Sequence, residues 1–111
     1  MSLAPHTVKS MNVALLYFDG CPNWHETDDR LREALDATGH ADTTIRYVQV
    51  STPEEAETMQ FRGSPTVLVE GKDPFAQAGM AVGLTCRLYQ TPGGARAGSP
   101  TLGQLIDALR P

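Results

Sequence analysis

Along the chain, apolar and polar positions fall into runs whose spacing switches between strand and helix periods. V-A-L-L-Y-F at 13–18 is an unbroken apolar stretch closed by Asp19-Gly20, the pattern of a strand covered on both faces. From Trp24 the period lengthens. Trp24, Thr27, Asp28, Leu31, Ala34, Leu35 and Thr38 recur three and four residues apart, and Gly39 supplies a stop signal. This predicts a helix starting near Pro22, its apolar stripe interrupted only by a polar pair. T-T-I-R-Y-V-Q-V at 43–50 reads as a second strand, with Ile45, Tyr47 or Val48, and Val50 as core candidates. Thr52 then offers an N-cap, Pro53 a first helical position and Glu55 the return half of a capping box, so a short helix is predicted to about Phe61.

Beyond Pro65, T-V-L-V-E makes a third strand and L-T-C-R-L-Y-Q at 84–90 a fourth, their hairpin setting Cys86 opposite Val67. The loop between them, 71–83, is long for a hairpin, which is a mark of functional loops. A Gly/Pro-rich stretch at 91–100 precedes a last helix, where Thr101 and Gln104 pair as a capping box and Leu102, Leu105, Ile106 and Leu109 face the core. The order is β-α-β-α-β-β-α, an α/β class. The first β-α-β unit predicts a right-handed crossover between parallel strands. The later pair, joined without a helix, is most simply antiparallel. A four-stranded mixed sheet with helices on both faces follows. One domain is expected over 11–110, after a flexible segment at 1–10.

Composition narrows the function classes. The 111 residues carry a net charge of -4 and no Lys/Arg cluster, which argues against nucleic acid as a partner. No apolar run approaches the roughly 20 residues that span a bilayer, so no membrane partner is expected. The first ten residues lack the apolar core of a signal peptide, and a cytoplasmic home is the expectation. Two cysteines, Cys21 and Cys86, are too few for a disulfide scaffold; in a reducing cytosol each is weighed as a free thiol. No motif calls for a cofactor.

The chemistry concentrates at F-D-G-C-P-N-W, 18–24, where the first strand gives way to the helix. A helix N-terminus presents unpaired N–H groups and a partial positive charge, both favouring thiolate over thiol. Such placement lowers a cysteine pKa from about 8.5 to roughly 3.5–7.5. Cys21 fits this case beside Pro22, and His25, one helical turn on, adds charge when protonated. Asp19 opposes the thiolate if it turns inward. The competing reading is a buried, inert cysteine. Trp24 either walls the site or opens the apolar face of the helix. His25 reads equally as a solvated surface residue, and H-E-T-D-D lacks the second histidine of a zincin.

G-C-P-N-W at 20–24 and G-S-P-T at 63–66, set 44 residues apart from Cys21 to Pro65 within this element order, resemble the thioredoxin superfamily over nearly all of residues 11–110. The resemblance implies a thioredoxin-like fold. It also implies a cis bond before Pro65 that lies against the thiol, the backbone of Ser64 to Thr66 offering strand-like hydrogen bonds to a bound thiol compound or peptide. A plainer reading is that Pro65 only ends the second helix. Two departures go together: Trp24 stands where the resolving cysteine would be, and Leu15 where a buried acid would serve that cysteine's proton. The run G-S-P-T-V-L-V-E-G-K-D-P-F-A followed by G-L-T-C-R-L-Y is similar also to small bacterial thioredoxin-like proteins sometimes labelled alkylmercury lyase-like.

The leading expectation is thus a thioredoxin-like protein with one nucleophilic thiol, Cys21. It would attack a disulfide or thiol adduct, and a low-molecular-weight thiol, or Cys86, would release the product. Its partners would be a low-molecular-weight thiol or a protein disulfide. One alternative is a non-catalytic binding module using loops 71–83 and 91–100. Another is a mercury or organomercurial handler in which Cys21 and Cys86 bind the metal and Asp73 or Asp19 delivers a proton. If Cys86 faces the same way as Cys21 the pair could also form a distal disulfide. In a thioredoxin-like sheet strand four is not beside the first helix turn, so the two sulfurs are expected to lie apart, with Cys86 a small hydrophobe in its strand.

Overall fold

A computed structural model describes residues 11–110; the segment 1–10, expected to be flexible, lies outside the described residues. β1 (Val13–Tyr17) is central in a three-stranded sheet of order β2-β1-β3, parallel to β2 (Ile45–Gln49) and antiparallel to β3 (Thr66–Val69). Successive side chains of a strand point to opposite faces, so the apolar run of β1 feeds two cores at once. Val13 and Leu15 pack with Leu31, Ala34 and Leu35 of α1 (Trp24–Ala37) and with Leu105 and Leu109 of α3 (Leu102–Leu109). Ala14 and Leu16 pack on the other face with Val50, Phe61 and Ala56 of α2 (Pro53–Met59). Helices therefore cover both faces of the sheet. Among the described residues no helix is long and apolar enough to cross a membrane.

Local signals set most boundaries. Both capping boxes form: Thr52 Oγ1 accepts from Glu55 N at 3.1 Å, and Thr101 Oγ1 accepts from Gln104 N at 3.1 Å. At the end of α1 the His40 N–H returns to the Leu35 carbonyl at 2.8 Å, across Gly39 at φ +83°. α1 begins at Trp24 rather than at Pro22, with Asn23 as N-cap. Its polar pair is accounted for. Thr27, fully buried, donates to Ser99 Oγ at 2.7 Å, and Asp28 accepts from Tyr47 Oη at 2.7 Å. β2 is an edge strand; Ile45 and Val50 are buried, Val48 packs on the second core, and Tyr47 is half-exposed.

The fourth strand of the expected sheet does not form. Within 84–90 only Tyr89–Gln90 is a strand, β4, and it pairs antiparallel with β5 (Arg96–Ala97) in a separate two-stranded hairpin. Cys86 bridges Ser64 in a parallel sense instead of lying opposite Val67. The physical reason is Pro65. Ser64 donates to the Thr85 carbonyl at 2.7 Å and accepts from Arg87 N at 2.9 Å, but the next residue has no N–H with which to continue a ladder. The pairing stops after one residue.

Candidate functional site

Cys21 follows the Asp19-Gly20 turn after β1, its N–H bonded to the Phe18 carbonyl at 3.0 Å. It is fully buried. Cys86 is brought beside it by the two bonds between Ser64 and the neighbours Thr85 and Arg87. The two sulfurs form a disulfide, with Cα atoms 5.7 Å apart, and among the described residues no cysteine is free. This corrects three expectations: that each cysteine is a free thiol, that the sulfurs lie apart, and that Cys86 is a small hydrophobe in a sheet strand. The single-residue bridge at Ser64 carries the 84–88 segment past the start of α1, where the expected hairpin would have kept it away.

The Ser64–Pro65 peptide bond is cis, and Pro65 is fully buried. Its surroundings differ from the open edge expected for a bound thiol compound. Ser64 N–H and C=O are taken by residues 85 and 87, and the Pro65 carbonyl accepts from Tyr89 Oη. Thr66 Oγ1 donates to the Gly63 carbonyl at 2.7 Å and accepts from Arg87 at 3.2 Å. This chain's own 85–89 segment fills the backbone positions beside the disulfide. Gly63 permits that approach, because a Cβ there would stand 2.9 Å from Arg87 Cβ. The Ser64 hydroxyl is buried without a hydrogen-bond partner among the described residues.

Around Cys21 the polar contacts are few. Its Sγ lies 3.8 Å from the Ser64 carbonyl oxygen and 3.8 Å from Asn23 Nδ2. Asn23 packs closely on Gly98, where a Cβ would meet Asn23 Cγ at 2.6 Å. Pro22 is exposed and its carbonyl accepts from His25 N at 3.2 Å. His25 is exposed and its ring stacks on Trp24, centroids 3.8 Å apart. Trp24 in turn stacks on Tyr17 at 4.5 Å and packs against the first core, so it serves as the first apolar residue of the helix face. Asp19 is exposed.

Three further site residues are not singled out from the sequence. Asn23 is one. Arg87 is the second: its guanidinium is buried, paired with Asp73 at 2.7 Å, donating to the Phe75 carbonyl at 2.8 Å and lying 4.6 Å from the centre of the Tyr89 ring. Arg87 Nε has no hydrogen-bond partner among the described residues. Asp73 is therefore a counter-ion, not a free proton donor. Tyr89 is the third. For Arg87 a signal did exist: C-R-L-Y places an arginine inside a strand-like run with no acid near it in sequence, so a buried one must find a distant counter-ion. A cleft of about 260 Å³ lies alongside, bounded by Phe75, Gln77, Arg87, Leu88 and Gln104 among others.

Burial pushes the Tyr89 hydroxyl well above its ordinary pKa, with the Arg87 cation pulling the other way. Desolvation, helped by the Asp28 carboxylate, pushes Tyr47 up to about 12. The folded protein therefore keeps both phenol protons above pH 10, where the unfolded chain releases them. Stability is unaffected below about pH 10 and is lost as pH rises beyond it. Tyr89→Phe is expected to flatten part of that alkaline fall and, at neutral pH, to cost about 1–3 kcal/mol because the buried Pro65 carbonyl loses its donor. Urea unfolding at pH 7 and pH 11 measures both; equal pH slopes in the variant and the parent protein would refute the assignment.

No protein-family model, no curated protein and no solved structure matches the chain.

Proposed function

We propose that this is a thioredoxin-like protein acting in thiol–disulfide exchange through Cys21, with Cys86 as its internal partner. One observation carries the reading: the Cys21–Cys86 bond sits beside cis Pro65, with Ser64 hydrogen-bonded to the residues on both sides of Cys86. A substrate cysteine in extended backbone would meet the same donor and acceptor if it were joined to Cys21. Cys86 thus takes the place of the second cysteine that Trp24 displaces from the helix. The site needs no cofactor, and its partners are a low-molecular-weight thiol or a protein disulfide. A bond that opens and closes in this way also suits a cytoplasmic setting, where disulfides are typically transient.

The reaction balances within the pair. An external disulfide oxidises the two thiols to the bond and leaves as two thiols, and two external thiols reverse it. Equilibration with mixtures of reduced and oxidised glutathione at pH 7, followed by alkylation and mass measurement, tests the reading. The midpoint is expected between about −120 and −270 mV, the span of exchange proteins. A bond that stays closed below about −300 mV, as structural disulfides do, would instead make the domain a binding module with a fixed staple.

A further inference from the structure

The two sulfurs are not equivalent. Cys21 is fully buried, whereas Cys86 is exposed. We infer that Cys86, not Cys21, is the sulfur that exchanges with the outside, Cys21 being the internal thiolate that leaves and returns. The inference rests on the exchange reading above and assigns the roles within it, opposite to those the sequence suggests.

Exchange proceeds by attack of a thiolate on one sulfur as the other departs, so access to the attacked sulfur decides the direction. The way to Cys21 is closed by the Ser64 carbonyl and the Asn23 carboxamide, each 3.8 Å from Sγ, with Gly98 behind Asn23. Cys86 lies on the open side of the 85–89 segment. There Cys86 and Leu88 are exposed while Arg87 and Tyr89 are buried, the alternation of an extended chain. Leu88, 61% exposed, gives an incoming thiol compound an apolar contact two residues from the sulfur. The departing group is also favoured on the inner side. A Cys21 thiolate keeps the Asn23 N–H donor at the mouth of α1, and a stabilised thiolate leaves faster.

In the reducing direction an external thiolate RS⁻ bonds to Cys86 Sγ as the Cys21–Cys86 bond breaks, and the electron pair goes to Cys21 Sγ. A second thiolate attacks the mixed disulfide at the R sulfur, releasing RSSR and leaving both cysteines reduced. In the oxidising direction Cys86 thiolate attacks RSSR, RS⁻ leaves, and Cys21 thiolate closes the internal bond with loss of a second RS⁻.

The test uses the intact oxidised protein. It is treated briefly with glutathione, quenched in acid, alkylated with N-ethylmaleimide to block free thiols and digested with trypsin, which separates the Cys21 and Cys86 peptides at Arg30, Lys72 and Arg87. The glutathione adduct is expected on the Cys86 peptide in at least about tenfold excess, since a buried sulfur reacts only through local opening. In folded single-serine variants, dithionitrobenzoate is expected to react with Cys86 of Cys21→Ser at least about tenfold faster than with Cys21 of Cys86→Ser, and the difference is expected to vanish in urea. Adduct first on Cys21, or equal rates in the two folded variants, overturns this inference while leaving the exchange reading intact. A bond that no native-state thiol opens overturns both.

Discussion

Asp73→Ala is expected to remove about 3–5 kcal/mol of stability, the cost of stranding a buried charge. The Asp73 and Arg87 side chains are only 4% and 2% exposed, so water cannot replace the lost partner. The guanidinium would keep its bond to the Phe75 carbonyl and its place over the Tyr89 ring, and neither neutralises it. The Phe75 N–H, which donates to Asp73 Oδ1 at 2.9 Å, would lose its acceptor too. Glu26→Ala supplies the contrast: its pair with Arg30 has the same kind of geometry at 2.8 Å, but its side chains are 58% and 33% exposed, so a change within about 1 kcal/mol is expected. Urea unfolding of both variants measures the difference. An Asp73→Ala loss no larger than that of Glu26→Ala would mean that solvent reaches Arg87 after all. The double variant Asp73→Leu/Arg87→Met strands no charge and is expected to lie closer to the parent protein than Asp73→Ala does.

That ion pair also explains where the sequence pattern stops being a guide. Alternation in L-T-C-R-L-Y-Q favours Leu84, Cys86 and Leu88 on the covered side. Instead Arg87 and Tyr89 turn inward while Cys86 and Leu88 face out. A one-residue change of register exchanges every side chain between faces, and what selects this register is a carboxylate fourteen residues earlier. Elements whose signals are local behave otherwise. The β1 run, the stripe of α1 and the two capping boxes each depend on residues within a few positions, and each lies where its pattern places it. The cis bond at Pro65 was legible through the resemblance carried by G-S-P-T. The meeting of Cys21 and Cys86 was open in the sequence but disfavoured on distance, since it follows from a strand that fails to continue beyond one bridged residue.

Cys86→Ser is expected to cost about 2–4 kcal/mol relative to the oxidised protein. The bond closes a loop of 65 residues in the unfolded chain, for which chain entropy alone gives about 4 kcal/mol. Cys86 is the better position for the test, because a serine at buried Cys21 would add a hydroxyl in need of partners. In the reduced state Arg87 and Asp73 still pin the 85–89 segment, so the fold around the site is expected to persist without the bond. The reduced parent protein and the Cys86→Ser variant, which cannot form the bond, are expected to unfold within about 1 kcal/mol of each other, by urea titration with and without reductant. This measurement is tied to the redox midpoint. Whatever the bond contributes to the fold, the fold contributes to the bond, and about 1.4 kcal/mol corresponds to 30 mV. A loss near 2 kcal/mol therefore goes with a bond that opens in a glutathione buffer. A loss well above 4 kcal/mol would tie the bond to the fold too tightly for exchange, and would remove the basis for Cys21 and Cys86 as a working pair.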